Sequence, residues 1–258
     1  MGFVRFALAA AVISLTGCTV YAPMQGAAPL IRGRNQAELT ASTYFNSRWE
    51  ASAAYSPLRY VLLRGAVGRG RSGGSANDTV YFRSRQYEAA AGGYWPINQT
   101  FVAGGLLGYG RAHTARGFSN RGLPFAYHRL YRYEAAYHRT FAELYAFADS
   151  EWARAGFAYR LNRVQFDAFA SGGRPLPLSR TLRHELMSFV GLHGPAGTRW
   201  RGVGLQLAMG LSVVPTSQAA ASGQGYDEYL PRRNQLYSTL TLQLFPHYWV
   251  THPQAIRE

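Results

Sequence analysis

Between Arg201 and Val214 apolar residues take every second position: Val203, Leu205, Leu207, Met209, Leu211 and Val213 alternate with Gly204, Gln206, Ala208, Gly210 and Ser212. A period of two puts the apolar set on one face of an extended strand, and no helical stripe competes with it. The pattern returns near the C-terminus, where Leu236, Ser238, Leu240, Leu242 and Leu244 oppose Tyr237, Thr239, Thr241 and Gln243. Within Tyr127–His138, Tyr131, Tyr133, Ala135 and Tyr137 oppose Arg132, Glu134, Ala136 and His138. Within Trp49–Ser56, Trp49, Ala51, Ala53 and Tyr55 oppose Glu50, Ser52 and Ala54. Further strands are predicted near 37–45, 58–68, 80–94, 101–111, 152–166 and 181–192, which brings the total to ten, with eight as the alternative count.

A strand that crosses a bilayer needs about 9–11 residues, and the apolar faces reach ten residues repeatedly. The connections alternate in length. Short ones fall at Ser56-Pro57 and Trp95–Gln99, long ones at 69–79, 112–126, 167–180 and 214–234, with 193–200 intermediate. A tight turn is expected near 139–142, or a longer connection reaching 151; the short hairpin near Asn46–Arg48 is the exception to the alternation. Short turns on one side and long loops on the other mark an outer-membrane barrel. The expected fold is therefore all-β, a transmembrane antiparallel up-and-down barrel over 36–246. A secreted sandwich or lipocalin-like barrel would also alternate, with its apolar face turned to a core. An even strand count puts both ends of the barrel on the short-turn, periplasmic side.

The start of the chain has a different pattern. Arg5 precedes a short apolar run, Phe6–Leu15, too short for a membrane helix of about 20 residues but suited to a secretory signal. Leu15-Thr16-Gly17-Cys18 has the form of a lipobox. Cleavage after Gly17 would remove residues 1–17, and the Cys18 thiolate, the strongest nucleophile available near neutral pH, would take the lipid. Cys18 is the chain's one cysteine, so it has no internal disulfide partner. In the lipoprotein families that this start resembles, an Asp after the cysteine often retains the protein at the inner membrane, so Thr19 implies the outer membrane. Residues 18–35, with Pro23, Gly26, Pro29 and Gly33, read as a flexible tether, and 247–258 as a periplasmic tail with His247, Tyr248, Trp249 and His252 as interface anchors.

Composition sharpens this picture. Aromatic residues make up 14% and charged residues only 16% of the 258, and Tyr and Trp gather at membrane interfaces. The mean hydropathy of −0.18 is unremarkable, as expected when strands show lipid only at alternate residues. The net charge is +14, and all 27 basic residues are Arg. Arg engages phosphate in bidentate geometry, and the phosphates nearest such a barrel belong to outer-membrane lipid and lipopolysaccharide. No nucleic-acid-binding module is present.

On Leu15–Cys18, Tyr21-Ala-Pro23, Gly92-Gly93-Tyr94 and the glycine-rich Gly104–Gly110 strand, the chain resembles lipobox-bearing outer-membrane β-barrel proteins of Gram-negative bacteria. The resemblance implies fold and location and carries no activity.

Candidate chemistry is sparse. His184 and Ser188 share one strand face four residues apart, about 13 Å, where base and nucleophile need about 3 Å. His113, His128, His138 and His193 are scattered and lack companions at metal-ligand spacing. Gly68-Arg-Gly70 and Gly172-Gly173 are turns, since a phosphate loop needs a strand-to-helix setting. No metal or other cofactor is expected. If the apolar faces meet lipid, a lumen charge network is expected from Glu50, Glu88, Arg132, Glu134, Arg160, Arg183 and Glu185, with Gln206 and Gln243 beside it. A ten-stranded barrel has little spare interior, so such pairs would fill it. The expected role is a structural, interaction or small-solute one with a filled lumen; the alternative is a barrel enzyme acting on lipid A or phospholipid acyl chains.

Overall fold

The computed structural model describes residues 20–25, 27–45, 47–73, 80–120, 129–177, 180–195, 198–215 and 234–250. The lipobox with Cys18, the interiors of three long connections and the end of the expected tail lie outside the described residues.

The alternating segments form strands β1 (Ala37–Tyr44), β2 (Arg48–Tyr55), β3 (Val61–Ser72), β4 (Tyr81–Pro96), β5 (Phe101–Asn120), β6 (Arg129–Asp149) and β7 (Ala153–Ser171). The two-residue β8 (Arg174–Pro175) is followed by β9 (Arg180–His193), β10 (Val203–Val213) and β11 (Gln235–Leu244). Each of the long strands pairs antiparallel with its neighbours in chain order; β1 meets β11, and β6 meets β7, so ten strands close on themselves with β8 as an appendage. Closure leaves no unpaired edge, which is what a sheet in lipid requires. A four-residue helix α1 (His247–Val250) follows the last strand, and Tyr248 packs against the lower core. No described helix is long and apolar enough to cross a membrane.

The two ends of the barrel differ. At one end lie both barrel termini and the connections 56–60, 97–100, 150–152 and 194–202; at the other lie the hairpin at 45–47 and the longer connections. β1 and β2 have 8 residues each, whereas β5 and β6 have 20 and 21. Since about 9–11 residues cross a bilayer, β4–β7 project well beyond it at the long-loop end. The expected break at 139–142 is absent, because β6 runs unbroken to Asp149. Its lower half turns Phe141, Tyr145 and Phe147 inward and Ala142, Leu144 and Ala146 outward. Apart from inward Glu143 and Asp149 both faces are apolar, so the period of two was hidden there. Glycine makes this packing possible: a Cβ at Gly104 would lie 2.3 Å from the Tyr145 ring and one at Gly108 2.2 Å from Phe141.

The outer wall carries an apolar band. Leu63, Leu107, Leu144, Leu186, Leu207 and Leu242 are each 44–70% exposed. Trp95, Phe101, Trp152 and Trp200 border the band at the short-turn end, and Trp49, Tyr87 and Tyr109 at the other. On β5, Phe101 and Tyr109 stand eight residues apart, a stretch close to the roughly 9–11 residues with which a tilted strand crosses a bilayer.

The interior departs from the expected flexible tether. Residues 20–25 and 27–31 run through the lumen as an extended segment and are buried throughout. Val20 packs with Tyr133, Phe166 and Phe169 near the long loops, whereas Leu30 and Ile31 pack with Leu62, Val102 and Phe245 at the short-turn end. The described chain thus begins at the long-loop end, not on the short-turn side that strand parity suggested. Eleven extended residues cover about 36 Å, enough to traverse the membrane band.

Candidate functional site

The lumen wall is built from alternate residues of every strand, and its charges converge at mid-height. Arg64 on β3 meets Glu143 at 3.0 Å and Glu88 at 3.1 Å. Arg160 on β7 meets Glu143 at 2.5 Å and Glu88 at 3.2 Å, while Arg139 on β6 reaches Glu88 at 3.2 Å. Three guanidiniums therefore share two carboxylates. The excess positive charge points at the threaded segment. Arg160 donates to the Met24 carbonyl at 2.6 Å, and Arg139 to the Ala22 carbonyl at 3.4 Å.

This arrangement follows from the needs of the segment. An extended strand that joins no ladder must still satisfy its peptide groups, and here wall side chains serve it. The Ala22 and Gln25 N–H groups donate to the hydroxyls of Tyr137 and Tyr44, each at 3.2 Å. The Leu30 N–H donates to Glu38 at 2.7 Å. Thr114 donates to the Val20 carbonyl at 2.8 Å, and Gln235 to that of Tyr21 at 2.9 Å. Pro23 brings no N–H to satisfy.

Two smaller groups flank the centre. The Tyr21 hydroxyl donates to Glu185 at 2.7 Å, Ser212 donates to the same carboxylate at 3.2 Å, and Arg183 donates to Ser212 at 3.0 Å. Arg183 lies over the Tyr21 ring at 4.3 Å. Below the hairpin at 45–47, Tyr44 donates to Glu50 at 2.6 Å, with Arg48 stacked 3.6 Å from the Tyr44 ring centre. At the short-turn rim Asp149 gathers Arg154 at 2.8 Å, His193 at 3.0 Å and Arg32 at 3.5 Å. Arg32 also donates to the carbonyls of Gln99 and Thr100. The chain is thus latched where it turns from lumen to β1.

Of the residues expected in the lumen, Glu50, Glu88, Arg160, Arg183 and Glu185 are buried on the inner wall, as are Gln206 and Gln243, which bond to each other at 3.0 Å. Arg132 and Glu134 are not. Both are exposed on the outside of β6, while Tyr133 and Tyr137 are buried inside. That part of β6 stands above the membrane, so water takes the charged face and the aromatic face packs on Val20 and Tyr21. Shifting the assignment by one residue inverts every side chain, and the apolar-to-lipid rule fails beyond the lipid. Arg64, Arg139 and Glu143 escaped the sequence reading. The strand breaks assumed near 139–142 hid two of them; Arg64 was legible as the inward partner of Leu63.

His184 and Ser188 lie on the outer face of β9. His184 bonds the Tyr159 hydroxyl at 2.6 Å, and Ser188 has Phe157 and Met209 as its cross-strand neighbours. They form no pair. Each mid-lumen carboxylate is instead held by two or more arginines, and the Met24 and Ala22 carbonyls accept from Arg160 and Arg139. Opposite charges and a stretch of main chain thus share the mid-height of the lumen.

No protein-family model matches the sequence, and no curated protein matches it either. Among solved structures, the translocator domain of autotransporter NalP from Neisseria meningitidis aligns over 81% of this chain and 85% of its own, at 14% identity and a TM-score of 0.43. The N-terminal β-barrel domain of Pseudomonas aeruginosa OprF aligns over 83% of this chain and 99% of its own, at 9% identity and a TM-score of 0.30. The closed ten-stranded barrel rests on its own strand pairings rather than on these likenesses.

Proposed function

We propose that this chain is an outer-membrane lipoprotein whose barrel is plugged by its own N-terminal segment, and that its role is structural or interactive, not conductive. The observation that carries this is the burial of residues 20–25 and 27–31 inside the bore, pinned by Arg139, Arg160 and five wall side chains. The apolar outer band, its aromatic borders and the absence of a sheet edge support residence in a membrane. The export signal and lipobox in the sequence support the outer membrane and acylation of Cys18.

Fatty-acid labelling should mark the wild type and miss Cys18→Ala; equal label in both rejects the lipoprotein reading. In planar bilayers the purified full-length protein should stay silent. Steady conductance of the size seen for general porins contradicts the plugged barrel.

A further inference from the structure

At and just above the upper aromatic border, where Trp49 is the cross-strand partner of Arg69, the outer wall of β3–β5 gathers arginine. Arg69 is paired directly with Arg85, and Arg71 with Arg83; His113 continues the first row across β5. All four guanidinium side chains and His113 are exposed. Like charges directly opposite on adjacent strands destabilise a sheet, and here two such pairs are stacked. No described carboxylate lies within ion-pair distance of these four arginines. The nearest on this face, Glu134, sits opposite Ala115, which itself faces Arg83. That places it two strand spacings from Arg83, about 10 Å.

Position identifies what the charges meet. Tyr87 lies two residues below Arg85 on the same face of β4, and Tyr109 four residues below His113 on β5. Val67 is the cross-strand partner of Tyr87, and lower still Leu63 and Leu107 face outward. The five basic side chains border a surface hollow of about 310 Å³. Acyl chains would lie against the leucines and valine, the tyrosines mark the interface, and the arginines stand at headgroup height.

We propose that Arg69, Arg71, Arg83 and Arg85, with His113, form a binding site for the phosphates of a diphosphorylated glycolipid of the outer leaflet, the lipid A portion of lipopolysaccharide. Bidentate contacts from guanidinium to phosphate neutralise the paired arginines and remove their mutual repulsion. The site rests on the outer-membrane reading above. It can be tested on purified full-length protein in detergent, where its success or failure does not depend on the compartment the loops face.

The experiment is thermal unfolding of the wild type and of R69Q/R71Q/R83Q/R85Q, each with and without diphosphoryl lipid A in the micelle. Wild type should gain several degrees with diphosphoryl lipid A and much less with dephosphorylated lipid A. The variant, relieved of its like-charge pairs, should melt no lower than wild type without lipid and gain at least threefold less from it. Arg132→Gln and Arg180→Gln should respond as wild type does. Should the fourfold variant not fold, the pairs R69Q/R85Q and R71Q/R83Q give the same comparison. Equal stabilisation of wild type and variant overturns the site. So does equal stabilisation by inorganic phosphate alone, which would mark an unspecific anion effect.

Discussion

Glu88 is the residue on which the centre of the barrel turns, since Arg64, Arg139 and Arg160 all reach it. Removing one member of a buried ion pair leaves the other charged and desolvated, at a cost of about 3–5 kcal/mol. Glu88→Ala should therefore lower stability by that order in denaturant titrations of the folded barrel, read by heat-modifiable gel migration. Glu134 is the informative control. Sequence alternation put it in the lumen, but it is exposed on the outer face of β6, so Glu134→Ala should stay within about 0.5 kcal/mol of wild type. Similar losses in both variants would show that the faces of β6 are assigned wrongly.

At the scale of the element, strand existence was legible almost everywhere and strand length was not. Alternation marks the lipid-crossing part of each strand because one side meets hydrocarbon there. It blurs in lower β6, where Phe141, Tyr145 and Phe147 point inward against outward Ala and Leu, and it inverts above the membrane, where Tyr133 and Tyr137 point inward. Upper β5 and the end of β7 consequently read as loop and lower β6 as a turn, while upper β6 read as a strand with its faces exchanged. β7 ends in a hairpin whose Gly172 and Gly173 both adopt positive φ, +56° and +81°, the conformation a two-residue turn needs. On the opposite end, Asn98 accepts hydrogen bonds from the Thr100 and Phe101 N–H groups at 2.8 and 2.7 Å, which holds that turn tight. An epitope inserted between Gly172 and Gly173 should be reached by antibody on intact cells. One inserted between Asn98 and Gln99 should be reached only after permeabilisation. The reverse pattern would turn the barrel over.

For the whole molecule, the plug was the least legible feature. Residues 19–35 carry prolines and glycines and no period of two, which is the composition of a linker. What makes them a plug lies elsewhere in the chain: inward Tyr44, Tyr137, Arg139 and Arg160 offer the partners that an isolated strand lacks. Only closure of the barrel brings those residues around one axis. Whether the bore is plugged depends on the location of this segment, and thiol accessibility reports it directly. Ala28 is 1% exposed and small, whereas Arg34 lies at the exposed turn before β1. In a mature-length chain with Cys18→Ser, Ala28→Cys should resist a bulky maleimide in the folded barrel and react fully once the barrel is heat-unfolded, while Arg34→Cys reacts in both states. Labelling of Ala28→Cys in the folded protein as fast as Arg34→Cys would mean that the segment is a free tether and the bore is not plugged by it.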